Sequence, residues 1–90
     1  MKKINDLIFI NNLPHIDLHG YDRDTARFTT NDFINDNIKT KNEFIVIVHG
    51  IGSGVVRNSV HETLKRNKKV LEYKTYNFNS GCTIVKIKVD

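Results

Sequence analysis

Residues 44–66 read FIVIVHGIGSGVVRNSVHETLKR, and this stretch decides the fold. Positions 44–48 are apolar throughout, as in a parallel strand flanked on both sides and covered on at least one face. That predicts the centre of a sheet. A glycine-rich loop follows at 49–54. Residues 55–66 then space Val56, Val60 and Leu64 four apart, an amphipathic helix with Arg57 in its first turn.

Upstream, HIDLHG at 15–20 alternates Ile16 and Leu18 with His15, Asp17 and His19, a short strand closed by Gly20. Asp22 is then a natural N-cap for RDTARFTTNDFINDNIKT, where Ala26, Thr30, Phe33, Ile34 and Ile38 keep helical spacing. Downstream, residues 70–90 read as two strands joined by a loop at 77–81, with Val85, Ile87 and Val89 alternating against Lys86 and Lys88. The order is β-α-β-α-β-β. Right-handed crossovers running the same way place both helices on one face of a four-stranded mixed sheet, a two-layer α/β sandwich. The opposite face is then expected to be open. Lys86 and Lys88 would track a nucleic-acid backbone there, with Tyr73 or Tyr76 as a stacking surface.

Ninety residues allow one domain, placed at 14–90 behind a short extension at 1–13. No run reaches the ~20 apolar residues of a membrane-spanning helix. The opening MKKINDLIFINNLP lacks the cleavage site of a secretory signal, so the expected compartment is the cytoplasm and no membrane partner is expected. Cys82 is the single cysteine, which excludes an internal disulfide and a cysteine-based zinc site; its apolar surroundings in CTIVKIKV predict a buried, inert thiol. Fourteen Lys and Arg against ten Asp and Glu give a net charge of +4, a balance that favours a polyanionic partner.

Ligands of open α/β sheets bind at the carboxyl ends of the parallel strands. DLHG ends the first strand and HGIGSG the second; an antiparallel last strand would bring residues 79–82 to the same edge. The loop carries Gly50, Gly52, Ser53 and Gly54 before a helix start, a place for backbone N–H groups to meet a phosphate. It is neither a dinucleotide fingerprint, which needs G-x-G-x-x-G, nor a nucleoside-triphosphate loop, which needs Gly-Lys-Ser/Thr. His19 and His49 each end a strand beside a glycine, and Asp17 shares a strand side with His19, an arrangement that suits a general base.

IDLHG at 16–20 and HGIGSG at 49–54 resemble the two motifs of the Smr (small MutS-related) domain family, and the likeness runs from about Pro14 to Val89. In the third family segment Gly81 and Thr83 fit, while the glycines that usually precede them are absent. The resemblance implies a fold like the C-terminal domain of translation initiation factor three, and nucleic-acid binding often joined to endonuclease activity on DNA or RNA. For some members it implies action on messenger RNA at ribosomes. Asp17, His19 and the glycines at 52 and 54 would be the functional positions.

The expected activity is thus an endonuclease, foremost on RNA. His19 oriented by Asp17 acts as base, His49 serves either as acid or as a structural hydrogen bonder, and the loop amides, Gly81 and Arg57 hold phosphate. The alternative is a non-catalytic module binding phosphate backbone or branched structures. No cofactor is expected; a divalent ion on Asp17, His19 and His49 is the remaining variant.

Overall fold

The computed structural model describes residues 12–76 and 79–90. Most of the N-terminal extension read at 1–13 therefore lies outside the described residues. The elements are β1 (His15–Asp17), α1 (Arg23–Lys39), β2 (Phe44–Val48), α2 (Val55–Arg66), β3 (Val70–Tyr76) and β4 (Asn79–Ile87). Their order across the sheet is β1-β2-β4-β3. β1 pairs parallel with β2, while β4 pairs antiparallel with both β2 and β3. β3 is consequently parallel to β2, and α2 carries the chain across β4 to the far edge. The mixed sheet and the two-layer α/β architecture agree with the sequence reading.

Both helices begin and end where local chemistry dictates. Asp22 caps α1, its carboxylate accepting the Thr25 N–H at 2.7 Å. Lys65 and Arg66 fill the last turn of α2, where positive charge complements the carbonyl end of the helix dipole. The helices meet through Ser59 Oγ donating to the Arg23 carbonyl at 2.7 Å and Asn67 Nδ2 donating to Asn31 Oδ1 at 3.0 Å. Beneath them lies the main core, where Ile34 of α1 and Val60 and Leu64 of α2 pack on Ile45, Ile47 and Val85 of the sheet. Among the described residues no helix is long and apolar enough to cross a membrane.

Two expectations are corrected. First, the face away from the helices is covered. Phe44, Val46, Ile84 and Lys86 on that face are all at most 9% exposed, and Leu13 and Tyr76 pack against Phe44 and Ile84. Lys86 therefore does not project into solvent; its Nζ lies 5.9 Å from the Phe44 ring centroid, and its stem is buried with its neighbours. Tyr73 and Tyr76 are packing residues on the two clusters. The alternation of Val and Lys suggested a half-buried strand, but β4 sits between β2 and β3 and is buried from Gly81 through Ile87. β2 thus shares the centre with β4.

Second, the loop expected at 77–81 is shorter, because β4 starts at Asn79, which pairs with Tyr76. Residues 77 and 78 lie outside the described residues. Gly81 resembles a loop glycine in sequence, yet it is a strand residue pressed against its neighbours: a Cβ there would stand 3.3 Å from the Gly50 carbonyl carbon. Cys82, as expected, is a buried free thiol, its pKa raised first by desolvation and then by the Asp17 charge.

Thr30 is fully buried in α1, and its Oγ1 has no hydrogen-bond partner among the described residues. A desolvated hydroxyl left unpaired costs about 1–3 kcal/mol. Thr30→Val keeps the shape and removes the unpaired group, so we predict a gain of about 1 kcal/mol in urea unfolding. A loss of stability would show that the hydroxyl is paired in solution.

Candidate functional site

The site is built where three strand ends lie side by side. Asp17 is in register with Val48, and Val48 with Cys82. After Asp17 the chain leaves the sheet through Leu18, which is fully buried and whose N–H reaches the Val48 carbonyl at 2.7 Å. A turn follows, with Tyr21 N–H bonded to the Leu18 carbonyl at 3.0 Å and Gly20 at φ 80°.

Within that turn, Asp17 Oδ1 accepts both the His19 backbone N–H at 3.0 Å and the His19 ring at Nδ1, 2.7 Å away. Asp17 and His19 do come together, but not by strand alternation, since β1 ends at Asp17. An Asp side chain bonding the N–H two residues on is a local turn motif that the Asp-x-His spacing supplies. The His19 backbone N–H, and then its ring, hold the Asp17 carboxyl below its usual range. With Nδ1–H given to the carboxylate, the neutral His19 ring carries its lone pair on Nε2. The side chain is 75% exposed, so that nitrogen serves the solvent side of the edge.

The glycine loop is locked to β4 by one oxygen: the Gly81 carbonyl accepts the His49 N–H at 2.8 Å and the Gly50 N–H at 3.0 Å. Gly50 is wedged against the first motif as well, at φ 82°, with its missing Cβ position 3.2 Å from His19 Cβ. Only glycine fits there without strain. Gly54, at φ 89°, forms the N-cap of α2 without a side-chain cap. Gly52 is different, because a Cβ there would meet nothing within 4 Å. Residues 19–21 and 49–57 line a cleft of about 450 Å³ that includes Ser53 and Arg57. The three segments expected at this edge therefore converge, with Gly81 beneath the loop.

His49 has surroundings unlike those of His19. It is 4% exposed, with Nδ1 3.0 Å from the Gly50 carbonyl and Nε2 2.8 Å from Thr83 Oγ1. The same Thr83 oxygen is 2.8 Å from His61 Nε2. The carbonyl only accepts, so His49 Nδ1 donates, its Nε2 accepts the Thr83 hydroxyl proton, and Thr83 Oγ1 accepts His61 Nε2–H. This chain of donors fixes both tautomers and holds the Gly50 carbonyl. The His49 and His61 rings meet edge to face at 5.8 Å, and Tyr73 closes on His61 at 5.3 Å. Burial, ahead of other effects, lowers the pKa of His49 and pulls that of His61 down to about 4.

Neither the Thr83–His49 nor the Thr83–His61 contact follows from the sequence patterns. The two bonds span 34 and 22 residues of chain, and no local pattern signals them. Among the described residues no three His, Cys, Asp or Glu side chains are grouped to hold a metal ion. Asp17, His19 and His49 form no such cluster, since the His49 nitrogens are engaged elsewhere.

Sheet, helices and loop together define a small α/β domain whose polar residues gather at one sheet edge. The Smr domain model matches residues 16–88, and the chain belongs to that family. It is 32% identical over 76 residues to the endonuclease MutS2 of Clostridium novyi, which covers 81% of this chain and 10% of that protein. The MutS2 endonuclease of Streptococcus suis is 38% identical over the same length and coverage. The chain thus spans about a tenth of the length of these curated relatives. Among solved structures, the Smr domain of Thermus thermophilus MutS2 matches with a TM-score of 0.81 at 22% identity, covering 84% of this chain and 99% of that one. YdaL, a stand-alone small MutS-related protein from Escherichia coli, matches at 0.77 and 22% identity, covering 82% and 63%.

Because the folded His61 pKa of about 4 lies below the ordinary histidine value of 6.5, the unfolded chain binds more protons between those values. Stability is therefore complete above pH 6.5 and falls as pH drops towards 4. His61 is only half-buried, and solvent screening reduces the effect, so the loss from pH 7 to pH 5 is about 1 kcal/mol. Urea midpoints should fall over that interval in the native chain and less in His61→Gln; equal slopes would exclude His61 as the source.

Proposed function

We propose that this chain is a nucleic-acid-binding endonuclease that cleaves RNA by attack of the substrate's own 2′-hydroxyl. The observation that carries the reading is the Asp17–His19 pair at 2.7 Å, on the rim of the cleft that Arg57 and the glycine loop line. A carboxylate on Nδ1 fixes the tautomer whose Nε2 accepts a proton, and it stabilises the imidazolium that forms. Endonuclease is the named activity of the MutS2 relatives, and family membership supports carrying it to this domain.

His19 Nε2 takes the 2′-hydroxyl proton, the 2′-oxygen bonds to phosphorus, and the bond to the 5′-oxygen breaks. The leaving oxygen takes a proton from water, giving a 2′,3′-cyclic phosphate and a 5′-hydroxyl. Arg57 and the amides around Gly52, Ser53 and Gly54 stabilise the charge that grows on the phosphate oxygens. Of the two roles open to His49, acid or structural hydrogen bonder, its engaged nitrogens suit it to the second, holding the Gly50 carbonyl and hence the loop. The reading places the chain in the cytoplasm, acting on messenger RNA that ribosomes carry.

Replacing His19 with Ala should lower cleavage by about a hundredfold to ten-thousandfold, the usual worth of a positioned base, and spare most RNA affinity. A single deoxyribose at the scissile position should block the cut with binding retained. Chelator-sensitive cleavage leaving 5′-phosphate ends would refute the mechanism, and binding without products would favour the non-catalytic module. Gly52→Val separates loop from fold: with open space at its Cβ it should fold normally, yet bind RNA more weakly by crowding the phosphate. Native circular dichroism with unchanged affinity would remove the loop from the interface.

A further inference from the structure

Among the described residues five large apolar side chains are exposed, and three of them, Tyr21 at 39%, Ile51 at 76% and Val55 at 50%, line the cleft of the Asp17–His19 pair. The other two, Phe28 on α1 and Leu71 on β3, lie outside it. An apolar rim around a cleft that Arg57 also lines is a mixed surface, with water excluded from one part and negative charge attracted to the other. A nucleotide has that division of character, a flat apolar base face joined to an anionic phosphate. We propose that Tyr21, Ile51 and Val55 form a subsite for one unpaired nucleobase next to the phosphate that His19 faces, an inference that rests on the nucleic-acid reading above.

Each base in a duplex already has both faces covered by its neighbours, so it reaches such a rim only if it is unpaired or turned out of the stack. Aliphatic side chains offer no hydrogen bonds to base edges, and the Tyr21 hydroxyl is the one polar group among the three. Stacking is tolerant of base identity, because every base has an apolar face. The subsite therefore selects strandedness and not sequence. Tyr21 is held at the rim by its own N–H bonded to the Leu18 carbonyl at 3.0 Å, directly after the turn that sets His19. Base contact and base catalyst are thereby fixed by the same turn, which places the scissile phosphate beside the stacked base.

The test uses the full chain and fluorescein-labelled all-deoxy oligonucleotides, which cannot undergo 2′-hydroxyl attack, so that binding is read apart from cleavage. Anisotropy at fixed salt should show tighter binding to a single strand than to its duplex. Tyr21→Ala should weaken single-strand binding roughly 5- to 150-fold, the worth of one stacked base, and leave duplex binding unchanged. Tyr21→Phe should retain affinity, and Ile51→Ser, at an exposed position, should weaken it in the same direction. Removing one base to leave an abasic position under the rim should erase the difference between Tyr21→Ala and the native chain. Equal affinity for single strand and duplex, with Tyr21→Ala and Ile51→Ser both without effect, would overturn the subsite while leaving nucleic-acid binding intact. Absence of binding to either form, also by Arg57-intact native chain at low salt, would overturn the nucleic-acid reading and the subsite with it.

Discussion

The Gly81 carbonyl oxygen, shared by the N–H groups of His49 and Gly50, is the joint on which the edge of this molecule depends. It ties the end of β2 to the start of β4 at the point where the glycine loop departs. Because Gly81 has no side chain, the two backbones approach closely enough for Gly50 to press on His19 from the other side. Three stretches far apart in the chain are thus stacked in the order His19, Gly50, Gly81. A side chain at either glycine would push them apart, and the distance from the Asp17–His19 pair to the loop would no longer be set.

Beneath this joint the Thr83 hydroxyl performs a second task. It links two half-buried or buried imidazoles with opposite tautomers, so that neither ring has a buried nitrogen left unpaired on that side. The arrangement favours neutral rings, in keeping with the lowered pKa values of both. His19 and His49 therefore divide the labour that their matching sequence contexts suggested they would share. One is exposed and oriented by a carboxylate, and the other is enclosed and used to hold a carbonyl.

Much of the architecture was legible in the residues. The uninterrupted FIVIV run marked β2, and the spacing of Val56, Val60 and Leu64 marked α2 with its observed bounds, Val55–Arg66. Asp22 announced the start of α1. Patterns that repeat within one element are visible because the cause is local. The central place of β4 was not, since Lys86 reads as a solvent-facing residue and its burial depends on β3 and on the cluster around Phe44. The Asp17–His19 pair was legible for its spacing, though its turn geometry was not. Thr83 and His61 were missed because their roles arise only from contacts between elements.

The strand order has a consequence for how the molecule comes into being. β4 is the last element in sequence yet lies between β2 and β3, so a growing chain holds no continuous sheet until residues 79–87 have emerged. Before then β2 has one edge unpaired, β3 has no neighbour, and the glycine loop has nothing to anchor it. Pairings between distant parts of a chain form late, because the entropy of closing the intervening segments must be met first. The edge that carries the Asp17–His19 pair and the glycine loop is therefore completed by the same event that completes the fold, and a partly synthesised copy of this domain carries both motifs without the geometry that joins them.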